Sequence, residues 1–295
     1  MQFLIFAILF SSLFSVVFKI CQQKNIDSAQ TIMFNYIVGA AVTWIPILTG
    51  TAFGDSTLAA YSLPGKSLVC AAIQGVMFLA GFAVMDASVA RSGVALTTVS
   101  SRASLILPVI LSAIFFGQSA PAWIPVVMVV AAMVMIILPS GNGTSGKSNF
   151  NAMLFLVIVF FTYGISDFFM KVSQNSVEEV YGASEDRLNA LTGFIFLAAS
   201  LASLIWCAVT GSLKKGIRWN AVGSGIVLGL INTGCTSSLL RALGFMSTSV
   251  FYPLYNIGIV LVASLLGVIF FKERLKWIQV AGMVVAAVAI TLFFR

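Results

Sequence analysis

The sequence predicts an all-α membrane protein of ten transmembrane helices arranged as two inverted five-helix repeats. Three observations carry that prediction. The chain is 60% hydrophobic and only 8% charged, with a mean hydropathy of +1.05, whereas a soluble domain needs about 25% charged residues to solvate its surface. Its apolar residues fall in runs of membrane length. A sequence pattern also occurs twice, at an offset of about 155 residues. Phe115-Phe116, a short polar turn, Trp123-Ile124 and an Ala/Val/Met run close the first half. Phe270-Phe271, a charged turn, Trp277-Ile278 and an Ala/Val run close the second. Near the start of each half, Phe18-Lys19-Ile20-Cys21-Gln22 is echoed by Met170-Lys171-Val172-Ser173-Gln174.

The spans follow from runs of about 20 apolar residues, which cross a hydrocarbon layer of about 30 Å as helix. The first is 2–20. No basic residue precedes it, and Lys19-Ile-Cys-Gln-Gln offers no small-x-small cleavage site, so it reads as a retained span rather than a signal peptide. Next come 29–49, 67–86 and 93–116, the last carrying Arg102 and Pro108. Only Gly117-Gln118 separates it from 119–138, which implies a tight helical hairpin. The stretch Pro139–Asn149 is Gly, Ser and Asn with one Lys, unable to bury apolar area, and reads as a flexible linker.

The second half repeats the plan with 151–172, 188–209, 219–240, 247–271 and 276–294. Between the first two of these, Ser173–Arg187 holds Glu178, Glu179, Glu185 and Asp186 and reads as a solvated loop. Gly225-x-x-x-Gly229 permits close helix approach, and Pro253 interrupts the ninth span as Pro108 does the fourth. The organisation is therefore 1–138 as first repeat, 139–150 as linker and 151–295 as second repeat. Five spans per half is an odd number, so the second half enters the membrane from the opposite side. The repeats are then related by a two-fold axis in the membrane plane, with a substrate site between them.

Several chemistries are excluded. Gly141-Asn-Gly-Thr-Ser-Gly146-Lys147-Ser148 fits the G-x-x-x-x-G-K-S phosphate-loop pattern. That chemistry needs a preceding strand and a following helix in an α/β domain, and this string follows a membrane span. The chain has no histidine, which removes His-based acid–base catalysis, His-ligated metals and a Ser-His-Asp triad. Cys21, Cys70, Cys207 and Cys235 have no paired spacing and read as small apolar residues. No catalytic residues, metal or cofactor are expected, and the protein is not read as an enzyme. The net charge of +7 lies mostly between spans, where topology and lipid headgroups explain it without nucleic acid.

The informative residues are the polar ones within spans. Arg102 sits in Thr97-Thr-Val-Ser-Ser-Arg-Ala-Ser104, and an arginine at mid-helix in a bilayer costs about 2.5–3.5 kcal/mol on insertion scales. Such a penalty is met where the side chain faces an aqueous cavity or a partner, with Asp86 and Asp167 the acids in reach. Ser101 maps by the repeat offset onto Asn256, so polar groups recur at matched depth in the two halves. Ser101, Arg102, Ser104, Asn256, Tyr163, Asp167, Asn232 and Gln74 are the expected substrate-binding residues. Asp167 and Lys171, four apart on one helical face, are placed to neutralise each other.

Phe270-Phe271-Lys272-Glu273-Arg274-Leu275 followed by Gln279-Val-Ala-Gly282 resembles the EamA-type members of the drug/metabolite transporter superfamily. Leu107-Pro108-Val109 with Phe115-Phe116-Gly117 resembles the first-half equivalent, departing from it by Gln118 in place of an acid. The resemblance implies a secondary carrier, commonly an exporter of amino acids or related metabolites, with a cavity lined by helices 1, 3, 4, 6, 8 and 9. The expected partners are the lipid bilayer of a bacterial inner membrane and a small-molecule substrate. Protons are an open coupling ion: without histidine, they would have to use Asp86, Asp167 or another acid, and facilitated diffusion is equally allowed. A multidrug carrier, which would need an acid in its cavity, and a channel-like or non-transporting membrane protein are the alternatives.

Orientation follows from basic residues. Connections after odd-numbered spans hold ten (Lys19, Lys24, Arg91, Lys147, Lys214, Lys215, Arg218, Lys272, Arg274, Lys276), against five on the other side (Lys66, Lys171, Arg187, Arg241, Arg295). The bias places the first set in the cytoplasm and both termini outside. A C-terminal alkaline phosphatase fusion is expected to be active and a C-terminal green fluorescent protein fusion dark; the reverse pair would invert the topology.

Overall fold

In a lipid environment every backbone N–H and C=O has to be satisfied within its own segment, which leaves the helix as the solution for a chain of this composition. The computed structural model describes residues 2–49, 62–117, 123–137, 150–182, 184–271 and 276–293. Among them are ten α-helices and no strand: α1 (Gln2–Gln23), α2 (Ser28–Leu48), α3 (Gly65–Ala103), α4 (Ile106–Phe116), α5 (Trp123–Ile137), α6 (Phe150–Tyr181), α7 (Glu185–Val209), α8 (Trp219–Phe245), α9 (Thr248–Phe271) and α10 (Trp277–Phe293). A 3-10 turn, Ser212–Lys215, precedes α8. Seven helical stretches are long and apolar enough to cross a membrane, and Gln2–Phe14, Trp123–Ile136 and Trp277–Leu292 are shorter apolar helices. The linker, the G-x-x-x-x-G-K-S string, Gln118 and the Lys272–Leu275 turn lie outside the described residues, as do the side chains of Phe18, Lys19 and Gln22.

The segment Gly65–Ala103 is helical throughout, yet it holds two of the expected spans. The Ser88 and Thr97 hydroxyls hydrogen-bond at 2.9 Å. Nine residues of straight helix rise about 13.5 Å, so the chain reverses between these two side chains. The arm ending at Val89 and the arm beginning at Thr97 are therefore separate spans. The second arm breaks at Ser104-Leu105 before α4 resumes. Pro108 explains the break: it has no N–H for the Ser104 carbonyl, which takes the Leu107 N–H at 2.9 Å instead. Gly117, at φ 59°, ends α4 in the left-handed conformation that glycine favours.

One expectation is corrected. The acidic stretch after Ser173 is helix as far as Tyr181, not a solvated loop. Its polar residues satisfy one another along the helix: Lys171 Nζ donates to Gln174 Oε1 at 2.7 Å, Gln174 Nε2 donates to Glu178 Oε2, and Ser176 Oγ donates to the Ser173 carbonyl at 2.8 Å. Such i, i+3 and i, i+4 pairs let a polar sequence stay helical past the end of an apolar run.

Contacts divide the chain into two compact units. The first comprises Met1–Leu79 with Phe169–Phe245. In it α2 packs on α7 and α8, and α1 packs on α8. Glycines set these crossings. A Cβ at Gly229 would lie 2.7 Å from the Asn35 carbonyl oxygen, and one at Gly75 would lie 2.7 Å from the Ala199 nitrogen. Gly39 is filled by the Phe196 ring, while Gly193 receives the edge of Trp44. On the outer face of α7, Leu197, Leu201, Leu204 and Ile205 are exposed. Their i, i+4, i+7, i+8 spacing is a lipid-facing stripe.

The second unit comprises Ala80–Phe168 with Met246–Arg295. Here α5 packs on α10 and α4 on α9. Gln279 Nε2 of α10 donates to the Ile136 carbonyl of α5 at 3.0 Å. Trp123 and Trp277, the paired tryptophans of the repeat pattern, open α5 and α10 and are both exposed, as side chains of an interfacial belt are.

Two glycines of α8 provide a test of how these helices associate. Gly229→Ala forces a methyl against backbone and is expected to destabilise the folded protein by about 1–3 kcal/mol. Gly223→Ala, with open space around its Cβ, is expected to be neutral or slightly stabilising, since alanine is the better helix former. Thermal unfolding in detergent compares the two; equal effects would remove close packing at Gly229 as the reason for that glycine.

Candidate functional site

Three helical segments of the second unit bring polar side chains together. The arm that begins at Thr97 supplies Ser101, Arg102 and Ser104, α6 supplies Tyr163 and Asp167, and α9 supplies Tyr252 and Asn256. The arm is fastened to α6 by Ser100 Oγ, which donates to the Leu156 carbonyl at 2.7 Å, and just before the arm Ser92 Oγ donates to the Ala152 carbonyl at 3.1 Å. The break at Ser104 then rests against Gly164, where a Cβ would lie 2.9 Å from the Ser104 carbonyl oxygen. Gly164 thus lets α6 approach the one place where the arm loses its helical hydrogen bonding. Tyr163 and Asp167, one residue before and three after it, flank that place.

Arg102 Nη1 donates to Asn256 Oδ1 at 3.1 Å. Asn256 is buried, and its own Nδ2 donates to the Tyr252 carbonyl at 3.0 Å. The amide is therefore held at both ends, with its oxygen turned to the guanidinium. The Tyr252 hydroxyl in turn donates to the Asp167 main-chain carbonyl, and Tyr252 is packed edge-on against Phe251. Arg102, Asp167 and Tyr163 lie within Coulombic range of one another, all three half-buried. Six of the eight residues expected from the sequence fall in this unit.

The details differ from expectation in four ways. The hydrogen-bond partner of Arg102 is not an acid but a neutral amide, which orients the guanidinium without cancelling its charge. Asp86 is exposed and makes no ion pair with Arg102 among the described residues. Ser101 and Ser104 are buried, and their hydroxyls donate back to the Thr98 and Ser101 carbonyls, so they satisfy the broken arm itself. Lys171 does not rely on Asp167 either. Its ammonium donates to Gln174 and to the Leu243 carbonyl at 2.9 Å, capping the end of α8 within the first unit.

Gln74 and Asn232 belong to the first unit. Gln74 is buried. Asn232 Nδ2 donates to Asn35 Oδ1 at 3.3 Å. Asn35 is itself buried, and its Nδ2 has no partner among the described residues. Sequence reasoning missed Asn35, and it counted Tyr252 among the in-span polar residues without placing it in the site. A signal for Asn35 was present: Asn35-x-x-x-Gly39 recurs as Asn189-x-x-x-Gly193, at the repeat offset. Among the described residues no cluster of His, Cys, Asp or Glu is placed to hold a metal.

Together these features define a polytopic, all-helical integral membrane protein with a charged and amide-lined cluster within its spans. Residues 150–295 match the model of the EamA-like transporter family, and the chain belongs with that family to the drug/metabolite transporter superfamily. That membership points to a non-enzymatic transporter. The chain is 28% identical to an uncharacterised protein of Haemophilus influenzae over 98% of its own length and 96% of that protein's. A chain of known crystal structure shares its fold with a TM-score of 0.74 at 12% identity, covering 99% of this chain and 94% of that one.

Proposed function

We propose that the protein is a secondary carrier of the bacterial inner membrane that exports a small carboxylate-bearing metabolite, amino acids first, by alternating access. Its ten spans form two inverted repeats, 1–138 and 151–295, joined by the linker 139–150. The contacts of α2 with α7, α4 with α9 and α5 with α10 support the repeat, because each pair joins a helix to the one in the same place in the other half. Helices beside a two-fold axis make such contacts with their own counterparts. Gly39 against Phe196 and Gly193 against Trp44 repeat the relation at the level of side chains.

The substrate reading rests on the Arg102–Asn256 hydrogen bond. A guanidinium oriented by one neutral acceptor keeps further N–H donors in the planar fork that suits a carboxylate. Asp167, within Coulombic range of Arg102, offers carboxyl oxygens that can accept hydrogen bonds from an α-ammonium group. A zwitterion satisfies both, while a lipophilic cation meets Asp167 but is repelled by Arg102. Asp167 is also the acid best placed for proton coupling, since Asp86 is exposed.

Flux in proteoliposomes tests this reading. Arg102→Ala is expected to lower transport about 10- to 100-fold, the loss of a charge-assisted hydrogen bond, with membrane insertion unchanged or improved. Arg102→Lys is expected to restore part of the rate, because an ammonium lacks the bidentate geometry. Full activity in Arg102→Ala would make the arginine structural and remove the carboxylate from the substrate.

A further inference from the structure

A second feature belongs to the first unit. The turn between α1 and α2 and the start of α8 enclose a cavity of about 360 Å³ lined by Lys24, Asp27, Ile217, Arg218, Trp219 and Asn220, among others. We propose that this cavity binds the phosphate headgroup of an anionic phospholipid.

The cavity is held in shape by buried hydrogen bonds. Gln30, fully buried, donates through Nε2 to the Gly216 carbonyl at 2.8 Å and the Ser212 carbonyl at 3.1 Å. Its Oε1 accepts the Arg218 N–H at 2.9 Å. One side chain thus fixes the approach to α8 against the first turn of α2, and with it the position of Arg218 relative to Lys24. Among the described residues Asp27 is the only acid lining the cavity, and its carboxylate is engaged elsewhere. Oδ1 accepts the Ala29 and Gln30 N–H groups as the cap of α2, and Oδ2 accepts the Ser212 hydroxyl at 3.4 Å. Two cations, Lys24 and Arg218, remain to face a ligand, which selects for an anion.

The apolar flank identifies the source of that anion. Trp219 is 82% exposed and Ile217 59% exposed, beside exposed Lys24 and Arg218. α1 ends at Gln23, α2 begins at Ser28 and α8 begins at Trp219, so three span ends set the cavity at headgroup level. Tryptophan beside basic residues is the side-chain pairing of a membrane interface. A soluble phosphate would have no use for the tryptophan and isoleucine; a glycerophospholipid places its glycerol and first methylenes there. The connections involved follow odd-numbered spans, the side the basic-residue bias places in the cytoplasm, where anionic lipid is attracted to juxtamembrane Lys and Arg.

Native mass spectrometry of the full chain, released from detergent with equimolar phosphatidylglycerol and phosphatidylcholine, tests the proposal. One phosphatidylglycerol is expected to be retained in preference to phosphatidylcholine. The preference is expected to fall about tenfold in Lys24→Gln/Arg218→Gln and to persist in Lys214→Gln, which alters a basic residue outside the cavity. Inorganic phosphate is expected not to displace the lipid. Equal retention of the two lipids, an equal loss in Lys214→Gln, or displacement by inorganic phosphate would each overturn the assignment. Circular dichroism of the variants, whose altered side chains are exposed, is expected to be unchanged.

Discussion

Helices in a bilayer gain no hydrophobic free energy by leaving lipid for one another, because lipid tails are as apolar as leucine. Association then depends on close approach, and close approach depends on small residues. That constraint organises both units. Gly75, Gly229, Gly39 and Gly193 set the crossings of the first unit, and Gly164 lets α6 reach the break beside Arg102 in the second. The exposed side of the helices needs no such precision and is occupied by Leu, Ile, Val and Phe. Packing in this protein is therefore read from its glycines more than from its large apolar residues.

The same constraint accounts for the placement of polar groups. A proline removes one N–H from a helix, and the carbonyl it strands has to be met by another donor. At Pro108 the Leu107 N–H does so, and the arm turns at Ser104. The result is an arginine held beside a deformed piece of backbone, with an amide from α9 on one side and an acid from α6 nearby. The expense of placing Arg102 in a span is offset locally by Asn256, and the charge itself remains available. An oriented charge of this kind is what the proposed ionic substrate would meet.

Much of the fold was legible because membrane-length apolar runs leave little choice of secondary structure. The nine expected span starts that fall on described residues all lie within four residues of a helix or helical-arm start. Ser173–Tyr181 was misread because its acids suggested solvent, while their i, i+4 partners keep it helical. Arg102 was legible from its energetic penalty alone. Its partner was legible only as a repeat-related polar position, since the Arg102–Asn256 hydrogen bond joins residues 154 apart in sequence. Asn35 was overlooked although its spacing to Gly39 recurs at Asn189 and Gly193, and Tyr252, visible as an in-span polar residue, was left out of the site because its role is set by a contact with Asp167, 85 residues away. The hydroxyls of Ser101 and Ser104, which the composition of the arm suggested for a ligand, serve the backbone instead.

The proposed carrier recognises a carboxylate and an ammonium together on one small molecule. Counterflow in proteoliposomes loaded with unlabelled amino acids measures it directly. Labelled amino acid is expected to accumulate transiently and saturably, with analogues lacking either the carboxylate or the amine competing at least tenfold more weakly, about 1.4 kcal/mol per lost contact. Counterflow of a lipophilic cation that amino acids leave unaffected, or no counterflow at all, would contradict the account.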